Sequence, residues 1–143
     1  MPPKISVIIP VYNVSEYLDE CLRSAVGQTL QDIEIIVVND GSTDNSQEII
    51  DRYAAGDNRI VPVVKKNEGL ANARKSGLEK AQGEYIFHFD GDDYLPLDAL
   101  EGLYAKAVET KADIVTACIY VDFGNDNIEL HCYEDFDVLS NEE

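Results

Sequence analysis

The sequence predicts an α/β fold built on a doubly wound, mostly parallel sheet. Short β-branched runs alternate with stretches of helical spacing, in units of about thirty residues. Polar turn clusters follow the strands on one side only. The 143 residues, 45% of them hydrophobic, suit a single domain with one core.

ISVII (residues 5–9) is a β-branched run that Pro10 should end, as expected of a strand buried on both faces. Ser15 precedes EYLDECLRSAV, where Tyr17, Leu18, Cys21, Leu22 and Ala25 recur at helical spacing. The Ser15 hydroxyl suits a cap for the free amides there, and this helix should stop near Gly27. IEIIVV (residues 33–38) is a second buried strand, leading through NDGSTDNS into a helix that contains Ile49, Ile50 and Tyr53.

IVPVV (residues 60–64) is the third strand, and Pro62, lacking a backbone donor, places it at or near a sheet edge or at a local irregularity. A helix over about 70–81 follows. EYIFHF (residues 84–89) is a buried aromatic strand closed by DGDD, and Pro96 opens a helix through about residue 109. DIVTACIYV (residues 113–121) reads as a fifth strand and residues 128–133 as a weak one, with about 124–143 weakly structured.

Eleven Lys and Arg against 28 Asp and Glu give a net charge of −17, a field that repels nucleic acid and anionic membrane surfaces. Residues 112–143 hold nine of the acids and no Lys or Arg. Such a tail reads as a segment that has lost its neighbour, so the domain is expected to be incomplete at its C-terminal end. Cys21, Cys118 and Cys132 are odd in number and widely spaced, as reduced core cysteines of a cytoplasmic protein would be. The run at the N-terminus is too short for a signal peptide or a membrane span.

In an open parallel sheet, ligands bind beyond the carboxyl ends of the strands, where loops converge and helix N-termini present amides. The four segments there are PVYN (residues 10–13), NDGS (39–42), KKNEG (65–69) and DGDD (90–93). The opposite connections, GQTLQD, AAGDN, AQGE and TKA, are ordinary helix-ending loops.

DGDD is the sharpest signal, because its three carboxylates repel one another unless solvated or bridged by a cation. Asp90, Asp92 and Asp93 would select a hard ion, Mn2+ or Mg2+, and leave coordination positions open for phosphates. A plain surface turn is the competing reading, and the position directly after YIFHF favours the ion. Asp40 lies early for a helix cap and is placed for ligand contact, whereas Asp44 suits capping, and Gly41 permits a close approach of backbone. Tyr12 offers an aromatic face to a base, and Pro10 with Val11 fixes the chain's path. Of the residues around the start of the third helix, Arg74 suits phosphate better than Lys75 does. His88 and His131 carry no assigned role.

The stretches SVIIPVYN, YLDECLRSAVGQTLQDIEIIVVNDGSTDNS and NEGLANARKSGLEKAQGEYIFHFDGDDYLP, with LEGLYAKAVETKADIV less specifically, resemble glycosyltransferase family 2 enzymes and their GT-A fold. The likeness runs from residue 5 to about residue 115. It implies that Pro10, Val11 and Tyr12 hold the base of a nucleotide-diphosphate sugar, that Asp40 recognises it, and that Asn67 and Arg74 lie near nucleoside and phosphates. Asp90 and Gly91 would also meet the donor, and Asp90, Asp92 and Asp93 would form the metal motif. It implies as well an inverting, metal-dependent transfer to a saccharide or lipid-linked acceptor hydroxyl, with uridine the expected base. Polysaccharide or lipopolysaccharide synthesis at the inner membrane face, by a protein without an integral membrane segment, is the expected setting. No residue matches the family's general base, which is expected beyond residue 143, and Lys75 stands where many relatives have Asn.

A dinucleotide oxidoreductase would need GxGxxG after the first strand, where PVYNVSEY stands. A sugar-phosphate nucleotidyltransferase would carry a Gly-rich basic loop near the N-terminus, which is lacking. A nucleotide-sugar-binding module without turnover stays open for a chain of this length.

Overall fold

The computed structural model describes residues 1–125 and 127–132. Four strands, β1 (Ile5–Val11), β2 (Ile33–Asp40), β3 (Ile60–Lys65) and β4 (Tyr85–His88), form one sheet in the order β3-β2-β1-β4. All three pairings are parallel. Helices α1 (Ser15–Val26), α2 (Ser46–Gly56) and α3 (Leu70–Leu78) are the crossovers, so the predicted doubly wound α/β sheet stands. Packing forms two compact units, Met1–Glu101 and a second beginning at Gly102, with α4 (Ala99–Thr110) running from one into the other. Among the described residues no helix is long and apolar enough to cross a membrane.

The two central strands are buried almost throughout because helices cover both of their faces. Ile8, Ile36 and Val38 join Ala73 of α3 in one cluster, edged by Val61, Val63 and Ala81. Val7, Ile9, Ile35 and Val37 alternate to the opposite face and are fully buried. On α1, Leu18, Cys21, Leu22 and Ala25 form the buried stripe that the helical spacing predicted. At the amino ends of the strands, Ser6 Oγ donates to Glu34 Oε1 at 2.5 Å and accepts from Gly83 N at 2.8 Å, fixing the turn into β4.

Pro10 does not end β1. Phe89 N donates to Ile8 O, so the even-numbered residues of β1 turn their polar groups toward β4. Pro10 lies past the last β4 pair, Ile8↔His88, and its missing donor therefore costs no ladder bond. Pro62 sits on β3, an edge strand, as expected. β4 was expected to be buried, but it is the other edge, and its residues alternate between half-buried and exposed. The aromatic run, read as a buried strand, marks a strand with one neighbour among the described residues.

Further expectations are corrected. Ser15 is not a side-chain cap, since α1 starts without one and Ser15 N instead donates to Asp44 Oδ2 at 2.9 Å. Residues 113–118 are not strand; β5 (Ile119–Asp122) pairs antiparallel with β6 (Ile128–His131) in a separate hairpin rather than extending the main sheet. Register there sets Ile119 opposite His131, which brings Cys118 and Cys132 together as a disulfide. Only Cys21 is a free, buried cysteine. Helix α3 stops at Leu78 rather than near residue 81, and α4 begins at Ala99 after a turn in which Ala99 N donates to Pro96 O. The predicted weak strand at 128–133 is present over Ile128–His131, while residues 133–143 lie outside the described residues.

A Cβ on Gly77 of α3 would stand 2.4 Å from Ile8 Cγ2 on the sheet. Gly77→Ala gains about 1 kcal/mol of helix propensity but suffers about 1–3 kcal/mol of overpacking. Urea unfolding should therefore show a net loss, larger again for Gly77→Val. A higher midpoint for Gly77→Ala would mean that helix and sheet are less tightly apposed.

Candidate functional site at the carboxyl rim of the sheet

Parallel register brings the ends of all four strands to one rim, and side chains link them there into a circuit. Asn13, just past β1, has φ 53°; its amide donates to Ser42 Oγ at 3.1 Å and its Oδ1 accepts from Thr43 N at 2.8 Å. The β1–α1 and β2–α2 loops are thereby joined.

Asp44 reinforces that joint, since its carboxylate accepts from Ser15 N at 2.9 Å and from Ser46 N at 3.0 Å, the first residues of α1 and α2. The residue preceding α2 is Asn45, which makes no side-chain cap, so Asp44 does the capping predicted for it from one position earlier. Burial pushes the Asp44 carboxyl up, but the hydrogen bonds from Ser46 and Ser15 outweigh it and hold the group down to about 2.

Asp40, the last residue of β2, is 2% exposed. Its Oδ1 accepts from Glu68 N at 3.0 Å and from Lys65 Nζ at 3.3 Å, and its Oδ2 accepts from Gly69 N at 2.8 Å. The carboxylate thus fastens the β3–α3 loop, a role that the sequence did not suggest. Gly41 has φ 75°, and a Cβ there would stand 2.7 Å from Asn67 N. The close approach expected at Gly41 is therefore made by the backbone of Asn67, one of the predicted site residues.

The circuit closes through α3. Arg74 Nη2 donates to Asp90 Oδ1 at 2.7 Å, and both side chains are about two-fifths exposed (36% and 41%). Among the described residues Arg74 Nε is buried without an acceptor. Lys75 is exposed, in keeping with the preference for Arg74. Gly91 packs against the end of β1: a Cβ there would meet Pro10 O and Val14 Cγ2 at 3.1 Å each. Pro10 and Val11 thus form the wall against which the acidic turn rests, and Tyr12 stands 51% exposed beside them.

The carboxylates of Asp90, Asp92 and Asp93 share one turn but form no closed cage. Among the described residues no three His, Cys, Asp or Glu side chains converge to hold a metal ion. Burial, then Asp92 and Asp90, push the Asp93 carboxyl up. Beneath the turn, the buried Cys21 thiol donates to Asp90 O at 3.5 Å and is pushed far up by burial and by Asp93, Asp92 and Asp90, so it stays protonated. His88 is pushed down by burial and by Arg74, against the opposing pull of Asp90.

The chain after the acidic turn is held by Ser24 of α1 and by Gln28, in a segment that reads as an ordinary helix-ending loop. Gln28 is fully buried; its Nε2 donates to Pro96 O at 2.6 Å and its Oε1 accepts from Leu100 N at 3.0 Å. Ser24 Oγ accepts from Leu95 N at 3.1 Å. Nothing in the spacing of GQT signals this, because the partners lie about seventy residues away (68 to 72). A cavity of about 520 Å3 lined by Ser15, Glu16, Asn45, Glu48, Ile49 and Arg52 includes none of the predicted site residues.

Comparison with known proteins fits this arrangement. The family model described as "Glycosyl transferase family 2" matches residues 6–139. The chain is 48% identical over 117 residues to glycosyltransferase GlyA of Streptococcus pneumoniae serotype 4, covering 82% of this chain and 17% of that protein. It is 38% identical over 125 residues to the chondroitin synthase of Pasteurella multocida, covering 87% and 13%. Among solved structures it resembles S. aureus TarS 1-349 in complex with UDP-GlcNAc, at a TM-score of 0.68 and 33% identity, over 77% of this chain and 32% of that one. It also resembles the mannosyltransferase PcManGT from Pyrobaculum calidifontis in complex with GDP-Man and Mn2+, at a TM-score of 0.66 and 28% identity, over 79% and 33%. The chain therefore spans a third or less of each of these proteins.

The Asp44 bonds supply a prediction. A carboxyl held below its ordinary value stabilises the fold fully above about pH 4 and loses that contribution as pH falls through about 2. Asp44→Asn should be less stable than the natural chain at neutral pH, and the difference should shrink between about pH 4 and pH 2. A difference that stays constant on acidification would show that the carboxylate's charge is not what joins the two helix starts.

Proposed function

The chain belongs to glycosyl transferase family 2, and from that premise we propose that its carboxyl rim binds a nucleotide-diphosphate sugar, with uridine as the base, for inverting transfer to an acceptor hydroxyl. The observation that carries the reading is the junction of Arg74 with the acidic turn. The guanidinium that pairs with Asp90 of the acidic turn through Nη2 keeps a buried Nε without an acceptor, an arrangement suited to a diphosphate and its counter-ion.

Each residue has a part in this reading. Tyr12 lays its ring against the base, while Pro10 and Val11 shape the wall behind it. Asp40 faces the base with the lone pairs left over after fastening Glu68 and Gly69, and Asn67 lies at the nucleoside. Arg74 turns its free Nε toward a phosphate oxygen, and Gly91 leaves room at the turn. Mn2+ or Mg2+, held by Asp90, Asp92 and Asp93, would supply positive charge to the diphosphate leaving group.

The names of similar proteins support parts of this. TarS was solved with UDP-GlcNAc and PcManGT with GDP-Man and Mn2+. The similarity to a chondroitin synthase favours polysaccharide synthesis, with a saccharide or lipid-linked acceptor. Because the chain spans a third or less of these proteins, donor binding is proposed for the chain itself and turnover for the whole protein. A cytoplasmic place of action at the inner membrane face belongs to the same proposal. In a reducing cytoplasm the Cys118–Cys132 bond would stand open.

Calorimetry with UDP tests the reading. Asp92→Asn should remove about tenfold or more of the affinity measured with Mn2+, about 1.4 kcal/mol, and leave binding in EDTA unchanged. Equal binding by the variant and the natural chain in Mn2+ would remove the acidic turn from the site.

A further inference from the structure

We propose that Asn13 is a positioning residue for the donor's base: it locks the backbone that aims the Tyr12 ring and acts through that ring rather than by touching the ligand. The inference rests on the donor reading given above.

Tyr12 is 51% exposed, and among the described residues its ring has neither a hydrogen-bond partner nor a ring partner. Neither a hydrogen bond nor a ring contact fixes where it points, so its direction depends on the backbone on either side of it. On the preceding side that backbone is β1, in register with β2 through Val11↔Asn39. On the following side it is Asn13, at φ 53°, a left-handed conformation that costs most L-residues roughly 1 kcal/mol and that Asn tolerates best.

Three hydrogen bonds hold Asn13 in that conformation, and all run to the other loop. Its amide donates to Ser42 Oγ at 3.1 Å, and its Oδ1 accepts from Thr43 N at 2.8 Å and from Thr43 Oγ1 at 3.3 Å. These span 29 and 30 residues of sequence, so they are not the local bonds of a turn. They clamp the chain on the far side of Tyr12 to the segment that directly follows Asp40 and Gly41. The ring and Asp40 are thereby held in one frame before any ligand arrives, which lowers the ordering cost of binding.

The clamp uses the Asn13 side chain only as an acceptor, which permits a discriminating test. Asn13→Asp keeps the acceptor, whereas Asn13→Gly keeps access to positive φ and loses it. UDP is titrated calorimetrically into the chain with Mn2+, with circular dichroism confirming that each variant is folded. Asn13→Gly should weaken binding about three- to tenfold, and Asn13→Asp should stay within about twofold of the natural chain. Ser42→Ala, which breaks the clamp from the opposite loop, should weaken binding in the same direction and serves if Asn13→Gly does not fold. In a Tyr12→Ala background the Asn13→Gly or Ser42→Ala change should add less than about 1.5-fold, because nothing remains to be aimed. Full additivity in that background would overturn the proposal, as would unchanged affinity in both clamp variants while the natural chain binds. Failure of the natural chain to bind UDP at all would instead overturn the donor reading, and this inference with it.

Discussion

The repulsion among Asp90, Asp92 and Asp93 is the constraint on which the rim depends. Three carboxylates in four residues stand at the end of a sheet-edge strand in a chain of net charge −17, so they add to a field that already opposes them. Arg74 reaches one of them from α3. The geometry that allows this is set further back: Asp40 fastens Glu68 and Gly69, which places the start of α3, and the absence of a side chain at Gly77 lets that helix settle onto Ile8. One ion pair thus reports on the seating of a whole crossover helix.

The loops of the rim are also tied to one another by hydrogen bonds. Its polar backbone groups are largely satisfied by side chains from other loops: Ser15 and Ser46 amides by Asp44, Thr43 by Asn13, Glu68 and Gly69 by Asp40. The first residues of α1 and α2 each give their amide to Asp44, and two amides of the β3–α3 loop are taken by Asp40, so these already serve an internal anion. Outside this network stand the half-exposed Tyr12 ring, the acidic turn and a buried Arg74 nitrogen lacking an acceptor. Selectivity for an aromatic base joined to a metal-bound diphosphate is in keeping with that remainder.

The central sheet was legible in the sequence because β1 and β2 are β-branched runs buried on both faces, and Pro62 told which strand lies at an edge. The rim was legible too, since turn residues cluster after one end of each strand. Long-range register was not. It alone pairs Cys118 with Cys132, gives Asp44 the amide of Ser15, and sends Gln28 to hold the chain after DGDD. The reading of YIFHF as buried failed because aromatic and β-branched residues serve an edge strand as well as a central one, and nothing local counts a strand's neighbours. DIVTACIYV likewise carries strand propensity over nine residues, but only its end pairs, and it pairs with β6 instead of joining the main sheet.

Central to the account is that the acidic turn and Arg74 together hold a divalent ion and the donor's diphosphate beside Tyr12. Paramagnetic broadening of backbone amide signals by substoichiometric Mn2+, recorded with saturating UDP, locates the ion directly. Broadening should centre on residues 90–93 and reach residue 74 and the turn after β1. Broadening spread over the acidic surface, or centred on residues 112–132, with the amides of the turn left sharp, would contradict it.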